Sequence, residues 1–333
     1  MAVLTKEKLK KIFAGFSASR IMVIGDLILD EFIWGRADRI SPEAPVPVVW
    51  AQSQSFMPGG ASNVANNLAS LGAKVFLYGV VGEDRNGQTL TGLLEKKGVD
   101  CQGVIGDPDR PTTVKTRIIA GHQQMVRLDW EKTEGLHVDR SKEIIARIQK
   151  RIDSVDALII EDYGKGLIQP GLLKSIIALA KKHKKIITVD PKVEHFSYYK
   201  GITAMTPNEK EASAGAKIPV QADEDIDRIG WKLLKTLRSE GVLVTLGEKG
   251  MKLFKGNRLI HIPTVAQEVF DVSGAGDTVI SVFTLALSRG VDMENAAKIA
   301  NVAAGVVVGK VGVAVVSPAE ILEGWERLKG KLA

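Results

Sequence analysis

One cysteine, Cys101, stands in 333 residues. That excludes an internal disulfide framework and any zinc site built on several thiolates. Aromatic residues are only 5% of the chain, which argues against a stacking platform for single-stranded nucleic acid. Charge of one sign is barely in excess: Lys+Arg 45 against Asp+Glu 39 leaves +6, dispersed along the chain. The densest basic run, Lys181, Lys182, Lys184 and Lys185 around His183, reads as a solvated helix end before a strand. No nucleic-acid partner is expected from it. No window holds the roughly 20 mostly apolar residues that a membrane span needs. The opening MAVLTKEKLKKIFAGF has lysines throughout and no apolar core, so it does not read as a signal peptide. The expectation is a reduced, soluble, cytoplasmic protein without a membrane partner.

Several chemistries are missing too. No G-x-x-x-x-G-K-[ST] phosphate loop occurs, and GVVVGKVG at 305–312 has the wrong spacing. The first apolar run, IMVIGDLILD, carries Gly25 alone and no G-x-G-x-x-G. There is no G-x-S-x-G elbow. The five histidines, at 122, 137, 183, 195 and 261, lack metal-ligand spacing.

What is present is a regular alternation. Short apolar runs at 21–25, 74–82, 156–162, 185–190, 203–208 and 242–247 predict buried strands. Helical patterns lie at 61–71, 87–97, 139–152, 170–182, 208–214 and 223–239. This predicts a doubly wound, mostly parallel α/β sheet with helices on both faces. Residues 277–289 and 294–308 are apolar nearly all round, so both helices should be buried. A chain this long buries roughly 75% of its unfolded surface and needs no staple. Two stretches break the alternation. Residues 32–50 contain SPEAPVPVVW, whose three prolines forbid helix and favour an extended edge. Residues 112–130 alternate like two antiparallel strands joined near Gly121-His122. Together they suggest a small sheet, either a lid or edge decoration.

Four strings carry candidate chemistry. In DVSGAGDT, Gly274, Ala275 and Gly276 lead into a buried helix with Asp277 in its first turn. Unpaired N–H groups and the helix dipole there suit a phosphoryl group in transfer. A tight loop with a favourable first-turn acid is the alternative. PGGASNVANNLASLG pairs Gly59 and Gly60 with Asn63 and Asn67 on one helix face. That suits a polyhydroxylated ligand, or is a capped helix after a turn. TPNEKE offers a capping box from Thr206 through Pro207 to Glu209. Asn208 and Glu211 remain on one face and could hold hydrated magnesium. VTLGEKG ends a strand in a turn with Lys249, either a nucleotide loop or a hairpin.

These strings, in this order from Gly25 to about Pro318, resemble the ribokinase-like (PfkB) family of sugar kinases. RISPEAPVPVV, QQMVRLDWE, DYGKG, VDPK, TPNEKE, QEVFDVSGAGDTVI and AAGVVVGKVG resemble its heptose 7-phosphate kinases more narrowly. The short spacing from Gly59 to Asn63 fits that branch. The resemblance implies one kinase domain over 1–333, with segments 32–50 and 112–130 as a lid that pairs two copies. It implies ATP and magnesium, and leaves a monovalent cation open. The implied reaction phosphorylates D-glycero-β-D-manno-heptose 7-phosphate at C1. Alternatives are a kinase of another sugar or a non-catalytic nucleotide sensor.

The implied roles fall on matched positions. Asp277 is the base, with the amides of Gly274, Ala275, Gly276 and Asp277 as the anion hole. Asp30, Gly59, Gly60 and Asn63 hold the sugar. Asn208 and Glu211, with Glu209 and Lys210 between them, order magnesium and phosphate. Thr245, Gly247, Lys249 and Gly250 lie beside the nucleotide. Lys165, Lys192, Lys115 and Arg117 are candidates for the substrate's phosphate, Lys165 and Lys192 foremost. No H-x-G-H nucleotidyltransferase signature occurs before the last residue, Ala333, so the expected product is the bisphosphate and not a nucleotide sugar.

Overall fold

The computed structural model describes residues 4–265, 270–310 and 312–328. Gln267–Val269 and Val311, which belong to two of the quoted strings, lie outside them. The chain opens with α1 (Lys6–Ala14), β1 (Arg20–Gly25), β2 (Leu27–Ile40), β3 (Pro47–Gly60) and α2 (Ala61–Ser70). Next come β4 (Lys74–Gly82), α3 (Arg85–Glu95), β5 (Asp100–Asp107), β6 (Thr113–Ala120), β7 (Gln123–Trp130), α4 (Val138–Arg151) and β8 (Ala157–Glu161). Then follow α5 (Pro170–Lys182), β9 (Ile186–Asp190), β10 (Ala204–Met205), α6 (Glu209–Ala216), α7 (Asp223–Leu237) and β11 (Gly241–Thr245). The last third holds β12 (Met251–Lys255), β13 (Arg258–Ile262), α8 (Ala275–Ser288), α9 (Met293–Val307) and α10 (Pro318–Leu328).

The expected layering is observed. Nine strands form one sheet in the order β5-β4-β1-β8-β9-β10-β11-β12-β13. It is parallel from β5 to β11 and antiparallel through β12 and β13. β1 and β8 are buried on both faces, which is why they read as unbroken apolar runs. One apolar core packs α2, α8 and α9 against one face. A second packs α4, α5 and α7 against the other. Phe283, fully buried in α8, illustrates the stakes: its truncation to alanine would cost about 3–5 kcal/mol.

A second sheet has the order β3-β2-β6-β7 and carries both proline-rich and hairpin segments. The hairpin turns at Gly121-His122, as its spacing predicts. The prolines sit where they do no harm. Pro42 and Pro45 lie in the turn, and Pro47 opens β3, an edge strand.

Three expectations need correction. The extended segment is longer than 32–50, because β2 starts at Leu27 and β3 runs to Gly60. The strand expected over 203–208 is only Ala204–Met205. The capping box of α6 starts at Asn208, not Thr206: Asn208 is the N-cap and Glu211 the reciprocal partner. Thr206 instead donates to Asp190 Oδ1 at 3.1 Å. The apolar pattern also misses β5, whose glycines Gly103 and Gly106 interrupt its alternation.

Candidate active site

The strand order reverses at β1, which lies between β4 and β8. In a doubly wound sheet the crevice outside the carboxyl ends of such strands is where ligands bind. β1 ends beside Asp26, β8 at Glu161 and β9 at Asp190, so three carboxylates meet there. The start of α8 closes the crevice. Gly274, its N-cap, has φ +77°, and a Cβ there would come within 2.9 Å of Asn63 Nδ2. Only glycine serves both constraints. Thr278 N–H makes the first helical bond, to Gly274 O at 3.0 Å, and Ala275 N–H donates to Val272 O at 3.2 Å. The amides of Gly276 and Asp277 are left without helical partners.

Asp277 is 5% exposed. Its Oδ2 accepts from Asn63 Nδ2 at 2.6 Å, and its Oδ1 accepts from the Tyr163 hydroxyl at 3.1 Å. Burial pushes this carboxyl up to about 6, and the Asn63 and Tyr163 donors pull against that rise. The adjacent Asp277 carboxylate holds the Tyr163 phenol well above its ordinary value, so Tyr163 stays a donor. Asn67 completes the mount: its amide donates to Asn63 O at 3.0 Å, and its Oδ1 accepts from Thr278 Oγ1 at 3.1 Å. Asn63 and Asn67 are thus fully buried against α8. The face expected to meet a ligand instead positions the acid.

Asp30 approaches from β2 and is 6% exposed. It pairs with Arg117, whose guanidinium also lies 5.2 Å over the Phe32 ring. Gly59 makes room for it, since a Cβ there would lie 2.2 Å from Asp30 Oδ2. The other candidates scatter around this centre. Lys165 is tied to Glu131 at 2.7 Å, and Lys115 to Asp129 at 3.2 Å. Lys249 pairs with Asp223 at 2.8 Å on the surface. Thr245 bridges Asn208, and Gly247–Lys249 is a short helical turn between β11 and β12. The hairpin reading of that loop therefore holds, whatever else it does. Lys192 follows β9 and lowers the Glu211 carboxyl, which burial raises above its usual value.

Sequence reasoning missed Asp26, Glu161, Tyr163 and Asp190 as site residues. Asp26 accepts from the amides of Tyr163, Lys165 and Leu167 at 2.9, 3.0 and 3.2 Å, and so fixes the DYGKG loop. Burial pushes it up to about 6. For the three carboxylates the signal was an acid at or just past the end of β1, β8 and β9. Glu161, Asp190 and Asp277 bring carboxylate oxygens within 4.8 Å of one another. Glu161 is fully buried, and neither of its oxygens has a hydrogen-bond partner among the described residues. Burial, then repulsion from Asp190, drives its carboxyl far upward. Burial also lifts Asp190 to about 8, with Glu211 adding to the rise. Such a set calls for a proton or a cation.

The sequence profile of the pfkB family carbohydrate kinases matches residues 18–320. The chain belongs to this family. A pfkB kinase is a phosphotransferase whose acceptor is a hydroxyl group. The chain is 45% identical over 318 residues to a bifunctional protein HldE of Geobacter sulfurreducens, covering 95% of this chain and 65% of that one. It is 44% identical over 302 residues to a bifunctional protein HldE of Helicobacter pylori, covering 91% and 65%. The chain thus spans about two thirds of the length of these relatives. Its fold is that of phosphofructokinase-2 from Escherichia coli in complex with potassium (TM-score 0.78, 20% identical, 93% and 99% covered). Arabidopsis thaliana ribokinase complexed with ribose and ATP is similar as well (TM-score 0.73, 22% identical, 92% and 98% covered). Among the described residues no helix is long and apolar enough to cross a membrane.

Proposed function

We propose that this pfkB kinase transfers the γ-phosphoryl group of ATP to the C1 hydroxyl of D-glycero-β-D-manno-heptose 7-phosphate. The observation that carries the phosphotransfer is buried Asp277 in the first turn of α8, held through both oxygens by Asn63 and Tyr163. The heptose assignment rests on the resemblance of the strings at 39–49, 123–131, 162–166 and 189–192 to heptose 7-phosphate kinases.

Asp277 takes the hydroxyl proton. A carboxylate near 6 is a modest base, and phosphoryl transfer asks little more of it, because its loose transition state releases the proton late. Positioning matters more. The amides of Gly276 and Asp277 face the transferring group as an anion hole. Asp30, with Gly59 and Gly60 beside it, holds sugar hydroxyls. Asn63 acts through Asp277. Thr245, Gly247 and Gly250 line the nucleotide side. Asn208 and Glu211 would order hydrated magnesium, joined by the carboxylates of Asp190 and Glu161; the two unpaired oxygens of buried Glu161 fit a cation. Bound magnesium supplies positive charge against the phosphates.

The four-stranded sheet fits a second copy of the chain, since Trp50 and Trp130 are 69% and 62% exposed on it. Purified protein with ATP, magnesium and heptose 7-phosphate is expected to yield ADP and a sugar bisphosphate in equal amounts. Mass spectrometry and phosphorus NMR identify the product; unreacted sugar phosphate rejects the assignment.

A further inference from the structure

We infer that a cavity beside the reacting centre, between the loops that follow β8 and β9, binds the phosphate the sugar already carries, with Lys192 and His195 as its contacts. This rests on the sugar-phosphate substrate proposed above. The cavity has a volume of about 310 Å³, and its walls include Gly164, Gly166, Gln169, Lys192, Glu194 and His195. That is the lower end of the range for small-ligand sites, enough for a phosphate and part of its sugar.

Elimination narrows the cations first. Lys165 is neutralised by Glu131 at 2.7 Å. Lys115 sits between Asp129 and Glu131 at 3.2 and 3.9 Å. Arg117 is held by Asp30. Recruiting any of these for a phosphate breaks an existing pair. Lys192 makes no ion pair among the described residues and lines the cavity. A Cβ at Gly164 would lie 3.2–3.5 Å from three Lys192 side-chain carbons, so the bare glycine lets that chain lie along the loop.

His195 is poised by its other neighbour. Its Nδ1 bonds Asp162 Oδ2 at 2.6 Å, which leaves Nε2 for a ligand. Asp162 is engaged on the far side of the ring. It is buried, and it also accepts from the Tyr199 hydroxyl and from Gly164 N–H. The loop amides cannot replace these side chains, because those of Tyr163, Lys165 and Leu167 point to Asp26. α5 adds a smaller contribution. Its N-cap Gln169 makes no capping bond and instead donates to Leu136 O at 3.0 Å, so the positive helix end at the cavity is uncapped.

Placement links the cavity to the chemistry. Gly164 follows Tyr163, whose hydroxyl touches Asp277. Lys192 lies two residues beyond Asp190, in the carboxylate cluster with Asp277. One sugar phosphate can therefore place its far phosphate in the cavity and a hydroxyl at Asp277. Exposed Glu194 is the one carboxylate on the wall, and it opposes an anion.

The test compares heptose 7-phosphate with the unphosphorylated heptose at saturating ATP. For Lys192→Met and His195→Ala the kcat/KM preference for the phosphorylated sugar should collapse at least tenfold, with KM for ATP unchanged in His195→Ala. Glu194→Gln should strengthen the preference. Inorganic phosphate should raise Tm in wild-type protein more than in Lys192→Met, a readout independent of turnover. If wild type uses heptose 7-phosphate and the two variants keep its preference, the phosphate site is wrong and the kinase assignment stands. If wild type ignores heptose 7-phosphate, the substrate assignment fails, and an equal phosphate response in wild type and Lys192→Met overturns the site as well.

Discussion

The nine-stranded sheet and the four-stranded sheet use similar apolar residues to opposite ends. Every residue of β8 is buried, while β7 is exposed along nearly its whole length. Trp34, Trp50, Trp130, Val126 and Leu128 all face solvent from the small sheet. The large sheet has helices packed on both faces, and its strands end at Glu161 and Asp190. The small sheet is buried only near its base, where β2 carries Asp30. Asp277 is thus held by hydrogen bonds in a buried setting, while Asp30 sits on a strand of the small sheet.

That division can be broken at its strongest point first. Asp277→Asn should lower kcat by about 10²–10⁴-fold while ATP still binds. It should also flatten the pH dependence of stability. The folded carboxyl lies near 6 against an ordinary 3.8, so the folded state holds more protons between about pH 4 and 6. Wild-type stability therefore falls as pH rises through that window. The variant escapes this loss, which amounts to up to about 3 kcal/mol above pH 6. Denaturant titrations at pH 4 and 8 check it; a variant whose stability falls between them as much as that of wild type would contradict the raised carboxyl.

Asp30→Ala probes the small sheet. KM for sugar should rise about tenfold or more, since a lost hydrogen bond to a hydroxyl is worth about 1.5 kcal/mol. KM for ATP should stay near wild type. Loss of ATP affinity instead would place Asp30 on the wrong side of the crevice. Between the two sheets stands Tyr163. With its hydroxyl removed in Tyr163→Phe, the Asp277 carboxyl loses a donor and rises further. The acid limb of kcat/KM, expected near pH 6 in wild type, should move upward. An unmoved limb with normal kcat would remove Tyr163 from the account.

The smallest effect belongs to the capping box. Glu211→Gln keeps an acceptor for the Asn208 amide, so Tm should barely change, while the magnesium requirement rises. A large fall in Tm with unchanged magnesium dependence would reduce TPNEKE to helix initiation.

The legible parts of this molecule were those governed by periodicity. Unbroken apolar runs identified β1, β4 and β8, and all-round apolarity identified α8 and α9. DVSGAGD was legible because glycines before a helix have few other uses. The mount of Asp277 was not. Asn63 and Asn67 read as ligand-facing because a sequence shows that two amides share a face, but not what packs on it. Tyr163 and Asp26 were hidden for the same reason: their meeting depends on β1 and β8 lying side by side, a contact between residues 137 apart in the chain. The cavity near Lys192 needed the structure to show which lysines already had partners.

The central claim is that this crevice phosphorylates a sugar phosphate held between the two sheets. The most direct measurement is the kcat/KM of the purified protein on heptose 7-phosphate, fructose 6-phosphate and ribose, with ATP and magnesium saturating. The account predicts that heptose 7-phosphate is preferred to fructose 6-phosphate, and both to ribose, by at least tenfold at each step. Ribose turned over as well as either phosphate ester, or no ADP released with any of the three, would contradict it.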